Sequence, residues 1–374
     1  MRRVALVCLL AVAIACTTAI AQEPEKLDPA KAAKGAEGIL WYSVLDLGLE
    51  GKGWTDTKHP YDRLPAKAEG VVTDNVWKLS HHSAGMCARF VTDARVIHAR
   101  WTVRNDNLDM PHMPATGVSG LDLYVRGPEG WGWVAQGRPK EKTNEVKLLE
   151  GMPEGPHEYL LYLPLYNGVE SVELGIPDAA YMAKATPRPA DKAKPILVYG
   201  TSITHGGCAA RPGMAYPALL NRWLDRPFIN LGFSGSGRME LPMADLLGEL
   251  DCAVYVLDCL PNLTPAEVSE RVVPFVKRLR ELRPDTPILF VENIQYQAGW
   301  FLEGSKKSYE EKNAALTEAF DALQKDGIQG LHYLSCSELL GHDHEATVDG
   351  THPTDLGFYR MAEAIRPALE AILK

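Results

Sequence analysis

Five short, unbroken apolar runs separated by helical patterns fill the second half of this 374-residue sequence. The runs are residues 196–199, 228–231, 252–257, 288–291 and 331–334. Runs of this length without polar alternation are typical of strands buried on both faces, as in a parallel sheet covered by helices. The sequence therefore predicts a doubly wound α/β domain with a parallel sheet over residues 194–374.

The segments between these runs carry the start signals and periodicity of helices. Thr264 can cap a helix that has Pro265 in its first position and Glu267 in its third, which completes a capping box. The apolar residues of this segment then fall on one stripe: Val268, Val272, Phe275, Val276 and Leu279. Similar helical patterns occupy about 214–223, 240–250, 308–325 and 354–373.

The first half has strand chemistry instead. Over residues 96–103 apolar and polar side chains alternate, which is the pattern of a half-buried strand. Further strands are predicted at 121–125, 131–134, 158–166 and 171–176. We expect an all-β sandwich or jelly roll over residues 38–182, joined to the α/β domain by a polar, proline-containing linker at 183–193.

The N-terminus resembles a targeting segment. Arg2 and Arg3 precede an apolar stretch over residues 4–15, and Ala19-Ile20-Ala21 has the small residues of a cleavage site. Residues 1–21 are therefore predicted to be a signal peptide, and the mature protein to be secreted or periplasmic. A lipid anchor at Cys16 is the alternative, because residues 13–16 partly match a lipoprotein box. No later apolar run reaches the roughly 20 residues that a transmembrane helix needs.

Charge argues against a nucleic-acid partner. The formal net charge is -9, and no run of Lys and Arg supplies the cationic face that phosphate binding needs. A small substrate or a neutral polymer fits this balance better.

Two of the loops that follow the predicted strands carry residues suited to nucleophilic catalysis. Ser202 stands between the first strand and a helix start, where backbone N–H groups can face an oxyanion. A plain helix cap is the other interpretation of a serine in this position. Near the C-terminus, Asp349 precedes His352 by three residues, so the carboxylate can hold one ring nitrogen while the other faces a serine.

Two further loops offer groups at the same edge of the sheet. The second strand leads into a glycine-rich loop over residues 230–237, which contains Gly232. The third leads to Asn262, whose side chain ends in an amide. Taken singly, these features are as compatible with tight turns as with a site. Their order, each at a strand end of one domain, is far more specific.

Together the four loops resemble the signature blocks of the SGNH, or GDSL-like, hydrolases. The matching residues are Gly200-Thr201-Ser202-Ile203, Gly232, Asn262, and Asp349 with His352. In the first half, Gly120-Leu121-Asp122-Leu123-Tyr124 resembles the GxDLY motif of a β-domain that precedes such hydrolases. The arrangement is also similar to carbohydrate esterase family two, in which a jelly roll precedes the SGNH domain.

The resemblance implies a role for each residue. Ser202 would be the nucleophile, His352 the general base and Asp349 the group that orients the imidazole. The backbone N–H groups of Ser202 and Gly232, with the Asn262 side chain, would form the oxyanion hole. Some esterases of this two-domain build use a Ser-His dyad with a backbone carbonyl, so the need for Asp349 stays open.

The sequence departs from the family pattern at two places. Thr201 stands where the first block has an aspartate, and residues 260–263 read Leu-Pro-Asn-Leu where the third block has Gly-x-Asn-Asp. The first change removes an acid that is not the nucleophile. The second puts the aim of the Asn262 side chain in doubt.

The function implied by the resemblance is a serine esterase that removes short acyl groups, most of all O-acetyl groups, from carbohydrates. A lipid or small acyl-ester hydrolase is the alternative within enzymes, and a catalytically retired glycan-binding protein is the alternative outside them. We expect no cofactor. The polar stretch from His342 to Glu345 could supply metal ligands, but a solvated loop that faces the substrate is the favoured interpretation.

Overall fold

A computed structural model of the chain describes residues 23–374. The predicted signal peptide and Cys16 lie outside the described residues. The N-terminal part contains strands β1 (Ala33–Lys34), β2 (Ile39–Ser43), β3 (Leu49–Glu50), β4 (Cys87–Thr92), β5 (Val96–Val103), β6 (Leu121–Gly127), β7 (Gly130–Gly137), β8 (Thr143–Glu150), β9 (His157–Tyr162), β10 (Val169–Pro177) and β11 (Met182–Lys184). Its helices are α1 (Val44–Leu47), α2 (Asp74–Ser80) and α3 (Ala115–Val118).

These strands form the two antiparallel sheets of a sandwich. One sheet has the order β1-β2-β10-β5-β8, and the other has the order β11-β4-β9-β6-β7 with β3 paired to β4. Strand β5 shows why the two sheets stack: its alternate residues, from Ile97 to Val103, are buried, while those between them are partly exposed. The predicted β-sandwich is confirmed.

The α/β part contains strands β12 (Ile196–Gly200), β13 (Phe228–Gly232), β14 (Val254–Asp258), β15 (Ile288–Val291) and β16 (Leu331–Leu334). They form one parallel sheet in the order β13-β12-β14-β15-β16. Its helices are α4 (Ala190–Ala193), α5 (Ser202–His205), α6 (Tyr216–Leu224), α7 (Leu241–Leu247), α8 (Pro265–Leu282), α9 (Glu303–Lys325) and α10 (Asp355–Ile372). The predicted doubly wound α/β fold is confirmed.

The strand order explains where a site can form. The chain moves from β12 outward to β13 and then returns to the other side of β12 with β14. The loops after β12 and β14 therefore separate in opposite directions and leave a crevice at the carboxyl end of the sheet. Ser202 follows β12 and Asn262 follows β14, so both lie at this crevice.

Helix α8 begins as the sequence predicts. Thr264 accepts a hydrogen bond from the Glu267 backbone N–H, and the Glu267 carboxylate accepts one from the Thr264 N–H at 2.9 Å. The five predicted apolar residues of this helix are its buried ones. The bounds of two other helices differ: α9 begins at Glu303, five residues before the predicted start, and α7 ends at Leu247.

The boundary between the two parts is less sharp than the sequence suggests. Strand β11 pairs with β4, so the first residues of the predicted 183–193 linker belong to the sandwich. The segment between β3 and β4, residues 51–86, departs further. Trp54, Leu64 and Val76 of this segment pack in one buried cluster with residues of the parallel sheet, although they fall within the predicted sandwich domain.

Among residues 23–374, none of the helices combines the length and the hydrophobicity that a membrane crossing requires.

Candidate active site

Ser202 is placed by a tight strand-to-helix turn. Strand β12 ends at Gly200, Thr201 caps helix α5, and Ser202 is the first residue of that helix. The Thr201 hydroxyl accepts a hydrogen bond from the Ile203 N–H at 3.2 Å. Thr201 thus acts as the cap in place of the family's aspartate. The turn leaves the Ser202 side chain at the crevice, 8% exposed.

Three side chains that are far apart in the sequence form one hydrogen-bonded chain at this point. The distance from Ser202 Oγ to His352 Nε2 is 2.8 Å, and that from His352 Nδ1 to Asp349 Oδ2 is 2.7 Å. The other carboxylate oxygen of Asp349 accepts from the backbone N–H groups of Thr351 at 3.0 Å and His352 at 2.8 Å. The carboxylate is therefore fixed in orientation before it meets the imidazole.

The charge on Asp349 selects which ring nitrogen of His352 carries the proton. Partial burial would raise the pKa of Asp349, but hydrogen bonds from the backbone and ring of His352 and from Thr351 outweigh it and lower that pKa. An ionised Asp349 can only accept at His352 Nδ1, which therefore carries the proton. Nε2 is then left to accept from the Ser202 hydroxyl, as a general base requires.

The carbonyl of Ser202 anchors the start of helix α5. It accepts from the N–H groups of Gly206 at 3.1 Å and Gly207 at 2.8 Å, and from the Tyr166 hydroxyl at 3.2 Å. The Tyr166 ring stacks on the buried His205 ring with 4.1 Å between centroids. Burial lowers the pKa of His205 well below its usual range, so its ring is neutral, and the stack is tied to Ser202 through the Tyr166 hydroxyl.

A buried carboxylate holds helix α5 from the other side. Asp258, at the end of β14, accepts from Thr204 Oγ1 and from the Tyr216 hydroxyl, both at 2.8 Å. Burial raises the pKa of Asp258 to about 6, although the two hydrogen bonds oppose this rise. Thr204 lies two residues after Ser202, so Asp258 fixes the turn that carries Ser202.

This raised pKa predicts an unusual dependence of stability on pH. Asp258 binds its proton more tightly in the folded state, so its contribution is fully present below about pH 4 and is lost as pH rises through about 6. The loss would be about 2 to 3 kcal/mol. Asp258→Asn, which is neutral and of the same shape, should flatten this decline in the free energy of unfolding.

Urea unfolding at several values between pH 4 and 8 would measure the difference. Asp285→Asn, on an exposed turn, is the matched control and should leave the pH profile as it is in the wild type. Parallel profiles for wild type and Asp258→Asn would contradict the prediction.

Two backbone N–H groups are free to meet an oxyanion. The N–H of Ser202 is in the first position of α5, where helical geometry supplies no acceptor. Gly235 lies in the loop after β13 with φ +67°, and a Cβ added there would point into open space. Within residues 23–374, neither N–H donates to a protein group.

Gly232, which the sequence suggested as an oxyanion donor, does not fill that position. Its N–H donates to Asn230 Oδ1 at 2.9 Å and is therefore occupied. A Cβ at this position would lie 2.1 Å from the backbone nitrogen of His205, so only glycine lets β13 approach α5. The second glycine of the loop, Gly235, is the better candidate, and its place in the 230–237 loop is the sequence signal for it.

The loop over residues 230–237, which we call the Gly235 loop, borders the turn that carries Ser202. The N–H of Phe233 donates to the Gly200 carbonyl at 3.0 Å, which ties the loop to the end of β12. A Cβ at Gly237 would lie 1.8 Å from the same carbonyl oxygen. The loop therefore lies in direct contact with the residues that precede Ser202.

Asn262 closes a 3₁₀-helical turn, Leu260–Asn262, at the end of β14. Its side-chain amide donates to the Phe233 carbonyl at 3.5 Å, which is a weak bond. In the described part of the chain the second N–H of this amide has no acceptor. Leu260 is buried in the core, so the departure from the family's third block turns its side chain away from the crevice. Asn262 therefore remains beside the Gly235 loop.

We expect Asn262→Ala to lower kcat for ester hydrolysis by about 10² to 10³. The amide contributes a weak hydrogen bond to the fold, so the loss should fall on stabilisation of the transition state. Steady-state kinetics on a chromogenic acetate ester would measure it, with an unchanged melting temperature as the control. Near-normal kcat would remove Asn262 from the site.

The GxDLY motif connects the sandwich to the loop after α5. Asp122, on β6, is buried and accepts from Arg211 Nη1 at 2.9 Å and from the Gly213 N–H at 2.8 Å. Trp133 Nε1 donates to its other oxygen at 2.9 Å. The motif thus supplies a carboxylate that holds residues 211–213 of the α/β domain.

A second contact brings the sandwich close to His352. The exposed ring of His112, in the loop between β5 and α3, lies 6.0 Å from the His352 ring between centroids. With Tyr166, which follows β9, it forms a wall of the crevice. The sandwich therefore contributes to the shape of the site.

Arg63, which the sequence analysis overlooked, is a buried cation that joins the two parts. Its guanidinium donates to the carbonyls of Leu79 at 2.8 Å, His82 at 3.0 Å, Asn230 at 3.2 Å and Gly232 at 2.7 Å. Burial lowers the pKa of Arg63 to about 9, which still leaves it charged at neutral pH. Carbonyl dipoles, two of them at the end of β13, stabilise this charge in place of a carboxylate.

The stretch from His342 to Glu345 is spread out rather than gathered around one point. Asp343 forms a two-pronged ion pair with Arg360, at 2.6 and 2.8 Å. His342 Nε2 lies 3.5 Å from a Glu338 oxygen. In the part of the chain that the structure describes, no three His, Cys, Asp or Glu side chains are placed to hold one metal ion.

Comparison with known families matches both halves of the chain. Residues 193–370 match the GDSL-like lipase/acylhydrolase family, and residues 39–182 match the GxDLY family, described as the N-terminus of SGNH-hydrolase-type esterases. A search of curated proteins found no significant match.

Solved structures share the two-part architecture. A protein from Bacteroides ovatus assigned as a GDSL-like lipase is 38% identical, with 90% of this chain and 98% of that chain covered and a TM-score of 0.85. The salicylyl-acyltransferase SsfX3 of a tetracycline biosynthetic pathway is 20% identical, with 90% and 98% covered and a TM-score of 0.71. A family two carbohydrate esterase from Clostridium thermocellum, in complex with cellohexaose, is 15% identical, with 78% and 93% covered and a TM-score of 0.55.

Proposed function

Because the chain belongs to the GDSL-like lipase/acylhydrolase family and is a carboxylic ester hydrolase, we propose that it removes acetyl groups from carbohydrates by Ser-His-Asp catalysis. The observation that carries the mechanism is the unbroken chain of hydrogen bonds from Ser202 through His352 to Asp349. The nucleophile, its base and the group that orients the base all lie at the switch point of the parallel sheet.

In the first half of the reaction, Ser202 Oγ attacks the ester carbonyl while His352 Nε2 takes the hydroxyl proton. Asp349 stabilises the imidazolium that results. The negative charge on the carbonyl oxygen is met by the N–H groups of Ser202 and Gly235 and by the amide of Asn262. When the tetrahedral intermediate collapses, the bond from the carbonyl carbon to the sugar oxygen breaks, His352 gives its proton to that oxygen, the sugar leaves as a free hydroxyl, and an acyl-serine remains.

In the second half, water replaces the sugar. His352 takes a proton from the water as its oxygen attacks the acyl-serine, and the same oxyanion donors hold the new intermediate. Collapse releases the carboxylic acid, and the proton on Nε2 restores the Ser202 hydroxyl. The same groups thus serve both halves with their acid and base roles exchanged.

Two observations support a small acyl group. Ser202 is only 8% exposed, and the Tyr166 hydroxyl, whose ring stacks on the neutral His205 ring, bonds to its backbone carbonyl. The carbohydrate part rests on fold similarity to an esterase that binds cellohexaose, and the predicted export of this chain agrees with a polymer outside the cytoplasm. A lipid hydrolase would instead need room for a long apolar chain.

The test is acetate release from acetylated xylan, mannan and marine polysaccharides, together with a series of chromogenic esters from acetate to decanoate. Acetate should be released from at least one polysaccharide, and the rate should fall with chain length from the acetate ester onward. The Ser202→Ala variant supplies the background. Highest kcat/KM on the longer esters, without release from any glycan, would favour the lipid hydrolase.

We also propose that the chain is exported. The mass of the protein recovered from the producing cells should correspond to a mature chain that begins at Gln22. A chain that begins at a lipid-modified Cys16 would favour the anchored form, and an unprocessed Met1 would overturn both.

A further inference from the structure

Three consecutive apolar side chains are exposed in the loop before helix α9. Trp300 is 69% exposed, Phe301 76% and Leu302 50%. Tryptophan is among the costliest side chains to leave in water, because its ring has a large apolar area. A cluster of this kind on a protein surface marks a place where something binds.

The rings of this loop extend toward a second loop. The centroids of the Trp300 and Phe301 rings are 5.4 Å apart, and those of Trp300 and His344 are 5.5 Å apart with an angle of 30° between the planes. His344 belongs to the loop that precedes Asp349 and His352. We call the side chains of Trp300, Phe301 and His344 the aromatic rim.

A cleft of about 400 Å³ lies beside the rim. Its wall combines the Trp300 ring with hydrogen-bonding side chains: Gln295, Lys306, Tyr309, His342 and His344. The lining therefore combines the aromatic faces of Trp300 and Tyr309 with several polar groups.

Gln297 connects the cleft to residues 346–350, the segment that leads to His352. The Gln297 side-chain oxygen accepts from the N–H groups of Ala346 at 2.9 Å and Thr347 at 3.2 Å. The Gln297 N–H donates to the Gly350 carbonyl at 3.0 Å. Gly350 lies between Asp349 and His352, so the cleft and the general base belong to one connected surface.

We propose that this cleft is a subsite for a sugar unit of the acylated chain, beside the unit whose ester faces Ser202. A pyranose ring has an apolar C–H face that can stack on Trp300, and hydroxyls around its edge that can bond with the polar wall. A lipid would leave that wall without partners. The inference rests on the proposed function, since it identifies where the carbohydrate part of the substrate binds.

Trp300→Ala tests the subsite, because an exposed side chain can be removed without a cavity in the core. We expect the KM for an acetylated oligosaccharide to rise about tenfold with little change in kcat, while kcat/KM for a chromogenic acetate ester stays at the wild-type value. Binding of the deacetylated oligosaccharide, measured by calorimetry, should weaken by about the same factor. Tyr359→Ala removes an exposed ring that lies outside the cleft and is the matched control.

Several outcomes would overturn the proposal. If wild type releases acetate from oligosaccharides and Trp300→Ala has the same KM and the same calorimetric affinity, the subsite is wrong and the proposed function stands. If wild type releases acetate from no glycan, the proposed substrate fails and the subsite fails with it. Loss of binding to phosphatidylcholine vesicles in Trp300→Ala, with an unchanged oligosaccharide KM, would make the aromatic rim a lipid contact.

Discussion

Ser202→Ala is expected to lower kcat for ester hydrolysis by a factor on the order of 10⁴ or more. In the proposed mechanism the substitution removes the atom that forms the acyl intermediate, and within residues 23–374 His352 has no other hydroxyl at hydrogen-bond distance to activate. What remains is the slow attack of water on an ester held by the oxyanion donors. Burst kinetics on a chromogenic acetate ester would show both the loss of turnover and the loss of the initial acylation phase.

The matched control is Ser269→Ala, which removes a hydroxyl from the exposed face of helix α8. It should leave kcat and the burst unchanged. An equal melting temperature for wild type and Ser202→Ala would show that the loss is chemical. Retention of more than about a tenth of the wild-type rate would mean that Ser202 is not the nucleophile.

Asp349→Asn is expected to lower kcat by about 10⁴, and more than Asp349→Ala does. Backbone N–H groups of Thr351 and His352 hold one oxygen of Asp349, so an asparagine would place its carbonyl there and turn its NH₂ toward His352 Nδ1. A donor in that position stabilises the wrong tautomer, with the proton on Nε2. An imidazole in this state cannot accept the proton of Ser202.

In Asp349→Ala, water can fill the vacated space and accept from Nδ1, because the carboxylate is 44% exposed in the wild type. The alanine variant should therefore lose less activity, and its order relative to the asparagine variant is the diagnostic result. Kinetics of both variants on the same acetate ester would measure it. If both retain most activity, a Ser-His dyad with another acceptor at Nδ1 is the better description.

The sheet of the α/β domain could be predicted because four of its strands, β12 to β15, are buried along their whole length. Each of the five apolar runs became a strand, and helix α8 begins at its predicted cap. Ser202, Asn262 and His352 each follow a strand of this parallel sheet, so they are expected at its carboxyl end. Local pattern was sufficient for these elements since periodicity and capping are local properties.

Other features depend on contacts between residues that are far apart in the chain, and a local sequence pattern does not show these contacts. Gly232 was predicted to donate to the oxyanion, but the side chain of Asn230 folds back onto its N–H, and glycine is required there by the close approach of α5. Residues 51–86 lack strand alternation, yet their apolar side chains find partners in the α/β core. Arg63 looked like an ordinary charge, since the carbonyls that surround it come from distant parts of the chain.

The segment that carries Arg63 changes how the division into two domains should be understood. This segment leaves the sandwich after β3 and returns to it at β4. Between these strands its apolar side chains pack into the α/β core, and Arg63 donates a hydrogen bond to the Gly232 carbonyl at the end of β13. The covalent linker after β11 is thus not what keeps the halves together. Cleavage of the backbone there would give two polypeptides that remain one particle, and neither half is a module that could be exchanged for a foreign one without reopening the core of the other.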